Sequence, residues 1–205
     1  MLSPAEKRKF ASGSKLSPKR LTAQIKETAA DWSYDAVSLG FPAPVAKGRI
    51  IKEPKHLVEG WVGWDFKQSL GKPIRVINDA AMQALGSYRG GRMLFLGLGT
   101  GLGSTLLWNR NVLPLELGDL PYPAVERIED VLGKAGLAQL GRKAWQREVI
   151  AAVLQLKHAF IADYVVLGGG NAKQLEKLPE GVELGHNRNA YLGGCRLWET
   201  DARTR

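Results

Sequence analysis

A glycine-rich segment, residues 96–104, is the first feature of this sequence that could bind a ligand. It reads LGLGTGLGS, with glycine at alternate positions directly after the apolar run MLFL. Glycine permits positive φ and lets a backbone approach a phosphate closely. The segment lacks both the Gly-Lys-Ser/Thr ending of a P-loop and the spacing Gly-x-Gly-x-x-Gly. Its apolar flanks predict a β-hairpin, which is either a tight turn without a ligand or an anion site with a hydroxyl from Thr100 or Ser104.

A second glycine-rich turn, LGGGN at residues 167–171, follows the apolar residues YVV and precedes a predicted helix. Such a strand–turn–helix junction presents the N-terminal amides of a helix to a phosphate or nucleotide. The same pattern is also an ordinary connection in α/β proteins, so both interpretations stay open.

Asp79 is the residue best placed for acid–base chemistry. It ends the predicted strand PIRVIND, and open α/β sheets bring functional groups into a crevice at the ends of their strands. A carboxylate there could accept the proton of a hydroxyl that attacks a phosphoryl group. The alternative is structural, because Asn78 or Asp79 could cap a helix that begins near Ala80.

Two further carboxylates, Glu116 and Asp119 in the segment ELGD, could hold sugar hydroxyls or a metal, or could be solvated loop charges. The histidines at positions 56, 158 and 186 show no metal-ligand spacing. Cys195 is the only cysteine, which excludes an internal disulfide and a cysteine-based zinc cluster within the chain. We therefore predict no metal centre built from these residues alone.

The net charge of +9 over 205 residues would attract polyanions such as nucleic acid, an anionic membrane or a phosphate chain. The alternative is that it only keeps the surface solvated. The longest uncharged run, residues 93–109, is interrupted by glycines and is too short to span a membrane. No apolar stretch follows the basic residues near the N-terminus, so a secretory signal is not expected. These features predict a soluble, cytoplasmic protein without a membrane partner.

Strands and helices alternate in the predicted order of elements, which indicates an α/β fold. Short strands are predicted at DAVSLG, PIRVIN and YVV, and on both sides of the first glycine segment. Residues 125–162 are predicted to be mostly helical, with interruptions near Gly133 and Gly141, and a last helix is predicted near the C-terminus. The loop EGWVGWDF is predicted to be either a binding rim or a packed loop.

Taken in order, these motifs resemble those of the ROK family of sugar kinases and repressors. The segment GFPAPV is similar to the family's Gly-x-Pro-Gly-Pro-Val loop, INDAAMQALG to its Asn-Asp-Ala segment, and GLGTGLGS to its second phosphate motif. ELGD is similar to the Glu-x-Gly-His sugar motif, and VVLGGG to the nucleotide-side motif. The resemblance runs from about Lys9 to Glu199. Because the family's cysteine-rich zinc motif is absent, it is greatest to the zinc-free branch that includes polyphosphate glucokinases.

The resemblance implies a reaction and a role for each motif. Asp79 would be the general base. The sugar would be bound by Asn78, Glu116, Asp119 and His56, the phosphoryl group by Gly99, Thr100 and Gly101, and the far end of the donor by Gly168, Gly169, Gly170 and Asn171. The substrates would be a hexose, above all glucose, and ATP or polyphosphate with Mg²⁺ bridging the donor oxygens, and without zinc.

The resemblance also implies the actin-like, ribonuclease-H-like ATPase fold, with two lobes around a cleft. The expected N-terminal lobe is residues 1–78, to which a helix at 189–205 returns, and the C-terminal lobe is residues 79–188. The family's first strand and its Asp-x-Gly-Gly-Thr motif have no counterpart here, so a truncated N-terminal lobe is expected, which would be unstable or borrow a strand, as in a homodimer. Asp119 stands where the family has histidine, and His56 where relatives often have asparagine.

Three functions remain as hypotheses. The favoured one is a glucokinase-like transfer of a phosphoryl group from ATP or polyphosphate to a hexose hydroxyl. The alternative is a non-catalytic sugar- or phosphate-binding remnant, or a truncated product, of a ROK kinase, motivated by the absence of the first phosphate motif and by Asp119. A nucleic-acid binder is least favoured, because only one helix is predicted before the first full strand instead of a helix-turn-helix.

Overall fold

The structure, a computed structural model, describes residues 7–10, 13–123, 125–199 and 203–204. The chain divides into two compact units, one of Met1–Asp79 with Thr204 and the other of Ala80–Arg203 with Arg205. Both units combine helices with paired strands, so the predicted α/β class is confirmed.

The first unit is built on a short parallel pair of strands. Its elements in chain order are α1 (Pro18–Thr28), β1 (Val37–Phe41), β2 (Val45–Ala46), β3 (Arg49–Ile50), α2 (Phe66–Leu70) and β4 (Ile74–Asn78). β1 and β4 are parallel and in register up to the pair of Phe41 and Asn78, while β2 and β3 form a small antiparallel hairpin. The predicted strands DAVSLG and PIRVIN are therefore present, and their carboxyl ends lie side by side.

Aromatic packing fills the core of the first unit. The Trp61 side chain is fully buried, and its ring centroid lies 4.7 Å from that of Phe41 and 6.5 Å from that of Phe66. Trp61 Nε1 donates a hydrogen bond to the Val58 carbonyl, and the Trp61 amide donates one to the Glu53 carboxylate. The loop EGWVGWDF is therefore packed at its first tryptophan, as one of the two predictions for it requires.

The second unit contains a mixed sheet. Its strands are β5 (Arg92–Leu98), β6 (Leu102–Trp108), β7 (Asn111–Leu115), β8 (Tyr164–Gly168), β9 (Val182–Leu184) and β10 (Arg203–Thr204), in the order β10-β7-β6-β5-β8-β9. β5 pairs antiparallel with β6 and parallel with β8, so the predicted hairpin around the first glycine segment is confirmed. The run MLFL is apolar throughout because both faces of β5 are buried there.

Helices of the second unit cover this sheet. They are α3 (Asp79–Ser87), which begins at the last residue of the first unit, α4 (Ile128–Leu132), α5 (Lys134–Ala159) and α6 (Asn189–Arg196). The predicted interruptions are confirmed, since Gly133 separates α4 from α5 and Gly141 has φ 72° and ψ 161° inside α5. Trp145 and Val149 of α5 are wholly buried in the core. Within the described residues, no helix is both long and apolar enough to cross a membrane.

The last helix, α6, packs against α3 at two glycines. A Cβ on Gly86 or on Gly193 would overlap the backbone of the opposite helix, so the close approach requires glycine at both positions. Arg196 extends the contact, because its guanidinium donates hydrogen bonds to the carbonyls of Leu85, Gly86 and Tyr88. The sequence predicts a helix here that returns to the N-terminal lobe; the helix is present, and the element against which it packs is α3.

The segment after LGGG differs from its prediction. It forms a 3-10 turn, Asn171–Gln174, in place of the expected α-helix. The turn ends at Leu175, which takes an extended conformation (φ −78°, ψ 124°) and is buried in the core. Burial of Leu175 therefore ends the helical segment after four residues, and the glycines are not followed by an α-helical N-terminus.

Candidate active site

The first glycine turn, residues 99–101, joins β5 to β6 and is fixed from outside the hairpin. The Gly99 amide donates to the Gly101 carbonyl at 3.1 Å. The Lys134 amide, at the start of α5, donates to the carbonyls of Gly99 and Thr100 at 3.0 and 3.2 Å. Thr100 is exposed at the tip, and among the described residues no atom lies within 4 Å of the place where a Cβ on Gly99 would be. The turn is therefore held by hydrogen bonds to its carbonyls and has open space beside Gly99.

The alternate glycines of residues 96–104 allow close packing instead of unusual backbone angles. None of the four has a φ in the left-handed region, so a need for positive φ does not explain why these residues are glycine. A Cβ on Gly103 would lie 2.8 Å from the Cβ of Ala80 in α3. A Cβ on Gly101 would overlap the carboxylate of Glu129. Gly103 is thus explained by a neighbour that leaves no room for a side chain, whereas at Gly101 the end of the Glu129 side chain would have to move.

The second glycine turn, residues 168–171, lies beside the first because β8 is parallel to β5. Asn171 Nδ2 donates a hydrogen bond to the Gly99 carbonyl at 2.8 Å. Gly169 has a φ of 82°, and a Cβ there would also overlap the Leu98 carbonyl, so only glycine fits this position. The structure therefore brings together the residues predicted to bind the phosphoryl group and those predicted to face the far end of the donor.

The acidic turn, residues 116–119, is held on β6 by a buried serine. Ser104 Oγ donates to the Leu115 carbonyl at 2.9 Å and accepts a hydrogen bond from the Leu117 amide at 3.0 Å. Ser104 is only 2% exposed, so of the two hydroxyls predicted for an anion, only that of Thr100 faces solvent. Both carboxylates of the acidic turn are exposed.

Sequence analysis missed Glu129, whose carboxylate lies between two of these turns. Its Oε2 lies against Gly101 of the first glycine turn and 3.1 Å from where a Cβ on Gly118 of the acidic turn would be. The Glu129 side chain is 15% exposed, so it is largely buried between the two turns. The only sequence signal is the acidic pair in RIED, which is also what an ordinary helix start contains.

The first unit carries the predicted base and part of the predicted sugar site. Asp79 is the first residue of α3, and its exposed carboxylate lies in the first turn, where the helix dipole favours a negative charge. Asn78 ends β4, and its Nδ2 donates to the Ala43 carbonyl at 3.3 Å, which joins the strand end to the GFPAPV loop. His56 is exposed in the loop after β3.

Acidic side chains gather in the second unit around an arginine. The carboxylates of Asp119, Glu129 and Asp130 lie 3.8, 2.7 and 3.0 Å from nitrogens of the Arg127 guanidinium. Their hydrogen bonds and charges, with Asp130 first, hold the pKa of Arg127 above its usual value. Among the residues that the structure describes, no three His, Cys, Asp or Glu side chains form a group that could hold a metal ion.

A mixed sheet with these glycine and acidic turns is the actin-like ATPase fold of the ROK sugar kinases. The inorganic polyphosphate/ATP-glucomannokinase of Arthrobacter sp. strain KM matches with a TM-score of 0.72 and 21% identity, over 87% of this chain and 81% of that chain. A ROK family glucokinase from Streptomyces griseus, solved with glucose and AMPPNP, matches with a TM-score of 0.72 and 15% identity, over 90% of this chain and 89% of that chain. The predicted fold is confirmed.

Similar curated proteins are polyphosphate glucokinases. That of Mycobacterium tuberculosis is 22% identical over 151 residues, which is 67% of this chain and 57% of that protein. That of Mycobacterium leprae is 20% identical over 151 residues, 67% of this chain and 46% of that protein. The chain thus spans about half the length of the curated relatives it matches. No protein-family model matches it. The predicted resemblance to polyphosphate glucokinases is confirmed.

Proposed function

We propose that this chain transfers a phosphoryl group from ATP or polyphosphate to a hydroxyl of a hexose, with glucose as the favoured acceptor. The observation that carries the proposal is the packing of three turns in the second unit. The first glycine turn is hydrogen-bonded to the second through Asn171, and it shares the Glu129 carboxylate with the acidic turn. Groups suited to phosphate and groups suited to hydroxyls therefore lie side by side. The names of the similar proteins support the same reaction.

Asp79 is the general base in this proposal. The hydroxyl oxygen of the sugar attacks the terminal phosphorus of the donor, the bond from that phosphorus to the leaving phosphate oxygen breaks, and the hydroxyl proton passes to the Asp79 carboxylate. The carboxylate must be ionised to accept this proton. Asp79 lies in the first turn of α3, where the helix dipole stabilises a negative charge.

The first glycine turn binds the transferring phosphoryl group in this proposal. Lys134 and Asn171 donate to its carbonyls, and the Gly99 amide donates to the Gly101 carbonyl, so the amides proposed to bind the anion are those of Thr100 and Gly101. Backbone amides in a fixed orientation stabilise negative charge that develops during the reaction. The exposed hydroxyl of Thr100 adds a donor at the tip. The second glycine turn faces the far end of the donor.

The sugar is bound by hydrogen bonds to its hydroxyls. Asn78 and His56 can donate, and the carboxylates of Glu116 and Asp119 accept. The structure adds Glu129, because its carboxylate lies against both the first glycine turn and the acidic turn. We include it among the sugar-binding residues.

Magnesium accompanies the donor in this proposal. Mg²⁺ in phosphoryl transfer keeps several waters and binds phosphate oxygens with few protein ligands, so it needs no cage of side chains. The Thr100 hydroxyl, exposed at the tip of the first glycine turn, is a hard oxygen that fits such an ion. When bound, the ion would neutralise charge on the donor oxygens.

The net charge of the chain bears on the choice of phosphoryl donor. The net charge of +9 favours association with a polyanion, which suits polyphosphate as well as ATP. We propose the cytoplasm as the location, because a chain whose single cysteine can form no internal disulfide suits a reducing compartment.

The test is phosphorylation of glucose by the folded chain with Mg²⁺, with ATP and polyphosphate offered separately. Asp79→Asn is expected to lower kcat by about 100-fold or more. Asp35→Asn, which removes another exposed carboxylate of the first unit, should leave kcat unchanged. Turnover that survives Asp79→Asn would overturn the assigned base. Glucose binding without turnover, in a folded chain, would instead indicate a non-catalytic sugar-binding protein.

A further inference from the structure

We propose that Arg127 is a positioning residue for sugar binding, which holds the Glu129 carboxylate between the first glycine turn and the acidic turn. This role rests on the proposed function, because it requires that a sugar be bound beside these turns. Neither the motifs nor their resemblance to a family pointed to Arg127.

The two terminal nitrogens of the Arg127 guanidinium contact different carboxylates. Nη2 lies 3.0 Å from Asp130 Oδ1, and the Arg127 amide donates to Asp130 Oδ2 at 3.1 Å, so the residue is anchored at the start of α4. Nη1 lies 2.7 Å from Glu129 Oε1 and 3.8 Å from Asp119 Oδ1. Because one nitrogen is anchored, the other meets Glu129 and Asp119 at a defined place.

Arg127 contacts one oxygen of Glu129, and the other oxygen lies against the two turns. Oε1 is paired with Arg127, and Oε2 is the oxygen that lies against Gly101 and Gly118. A carboxylate held through one oxygen presents the other at a fixed point. Pre-organised groups of this kind bind a ligand more tightly than groups that must first be ordered.

Arg127 also offsets the repulsion between neighbouring carboxylates. Its Nη1 lies 2.7 Å from a Glu129 oxygen and 3.8 Å from an Asp119 oxygen, so a positive charge stands between these two carboxylates. The side chains of Arg127 and Asp119 are 37% and 41% exposed, whereas that of Glu129 is 15% exposed. Water screens the exposed pair more strongly, so the pair of Arg127 with Glu129 carries most of the effect.

The test is the affinity for glucose, measured by isothermal titration calorimetry on the full chain. Arg127→Met keeps much of the apolar stem and removes every donor, so affinity is expected to fall about tenfold. Arg127→Lys keeps the charge without the forked geometry, so it should recover only part of that loss. The matched control is Arg89→Met, which breaks the 2.8 Å ion pair with Glu183 of β9 and should leave the affinity unchanged.

A double mutant tests whether Arg127 acts through Glu129. If it does, Glu129→Gln should weaken glucose binding much less in the Arg127→Met background than in the wild type, because the interaction has already been lost. Additive losses would overturn the proposed coupling. The melting temperature of each variant, measured on the same sample, separates loss of binding from loss of folding.

Failure of this proposal can be told apart from failure of the proposed function. If the wild type binds no glucose, even with a non-hydrolysable ATP analogue present, the proposed function fails. If the wild type binds glucose and folded Arg127→Met binds it equally well, only the role of Arg127 is overturned. If Arg127→Met does not fold, Arg127→Lys decides: weaker binding at an unchanged melting temperature supports the role, and equal binding overturns it.

Discussion

The side-chain amide of Asn171 donates a hydrogen bond to the carbonyl of Gly99, 2.8 Å away, and so ties the second glycine turn to the first. The same carbonyl accepts a bond from the Lys134 amide at 3.0 Å. Two donors from distant parts of the chain therefore hold one peptide group of the first turn, and the direction of its amides depends on both.

Asn171→Asp should disturb the first glycine turn while it keeps the size of the side chain. Aspartate has no donor for the Gly99 carbonyl, and it places a negative charge beside the proposed anion site. We expect kcat/KM for the donor to fall by at least about tenfold, with KM rising more for the donor than for glucose. Steady-state kinetics with each substrate varied in turn would measure this. Asn109→Asp, in the turn between β6 and β7, is the control; equal kinetics for Asn171→Asp and wild type would exclude the role of the bond.

Gly99→Ala and Gly103→Ala should separate catalysis from packing. A Cβ at position 103 would lie 2.8 Å from the Cβ of Ala80, so Gly103→Ala should lower the free energy of unfolding by about 1–3 kcal/mol. The described residues leave space at position 99, so Gly99→Ala should keep the melting temperature. It should nevertheless lower turnover, because a methyl group narrows the approach of a phosphate to the backbone. Thermal denaturation and kinetics of both variants check this, and a normal turnover of Gly99→Ala would argue against phosphate at that residue.

Ser104→Ala should loosen the acidic turn. The buried amide of Leu117 would lose its acceptor and the Leu115 carbonyl would lose a donor, at a cost of about 1–3 kcal/mol. Because this turn carries two carboxylates proposed to bind the sugar, KM should rise more for glucose than for the donor. Chemical denaturation and kinetics measure the two effects. Ser69→Ala, which removes a hydroxyl bonded to the Asp65 carbonyl in α2, should change neither KM.

Asp31 should make the chain less stable in acid. The Arg8 guanidinium donates to both carboxylate oxygens of Asp31, with Nη2 at 2.9 Å from Oδ2, and lowers the pKa of Asp31 from 3.8 to about 2. Because the pKa of the folded state is the lower one, the stabilisation is complete above the unfolded value of 3.8 and is lost as the pH falls through about 2. Asp31→Asn should therefore lower the melting temperature more at about pH 7 than at about pH 2. A difference that does not change with pH would contradict the pairing.

Much of the local structure could be predicted because it depends on neighbouring residues. Continuous apolar residues on both sides of a glycine segment are enough to specify the β5–β6 hairpin, since each strand is buried on both faces. The interruptions at Gly133 and Gly141 were equally predictable, because glycine is unfavourable inside a helix. The motif order was sufficient to predict the fold that the structural comparisons confirm.

What could not be predicted depends on contacts between residues far apart in the chain. No local pattern shows that Glu129 reaches Gly101, or that the hydroxyl of Ser104 is buried under the acidic turn. The 3-10 turn after the second glycine turn also depends on contacts with residues far away in the chain. Its residues alone suit a helix, and burial of Leu175 in the core draws the chain into an extended conformation instead.

The two neighbours of β5 differ greatly in their distance along the chain. β6 follows after the short turn 99–101, whereas β8 begins at Tyr164, after both α4 and α5. Closure of the longer loop costs more entropy, and pairings of high sequence separation slow folding. The hairpin should therefore form early and the second glycine turn should reach its place late. A donor that contacts both turns would then act as a folding ligand as well as a substrate, because it binds only the chain in which this last pairing has formed.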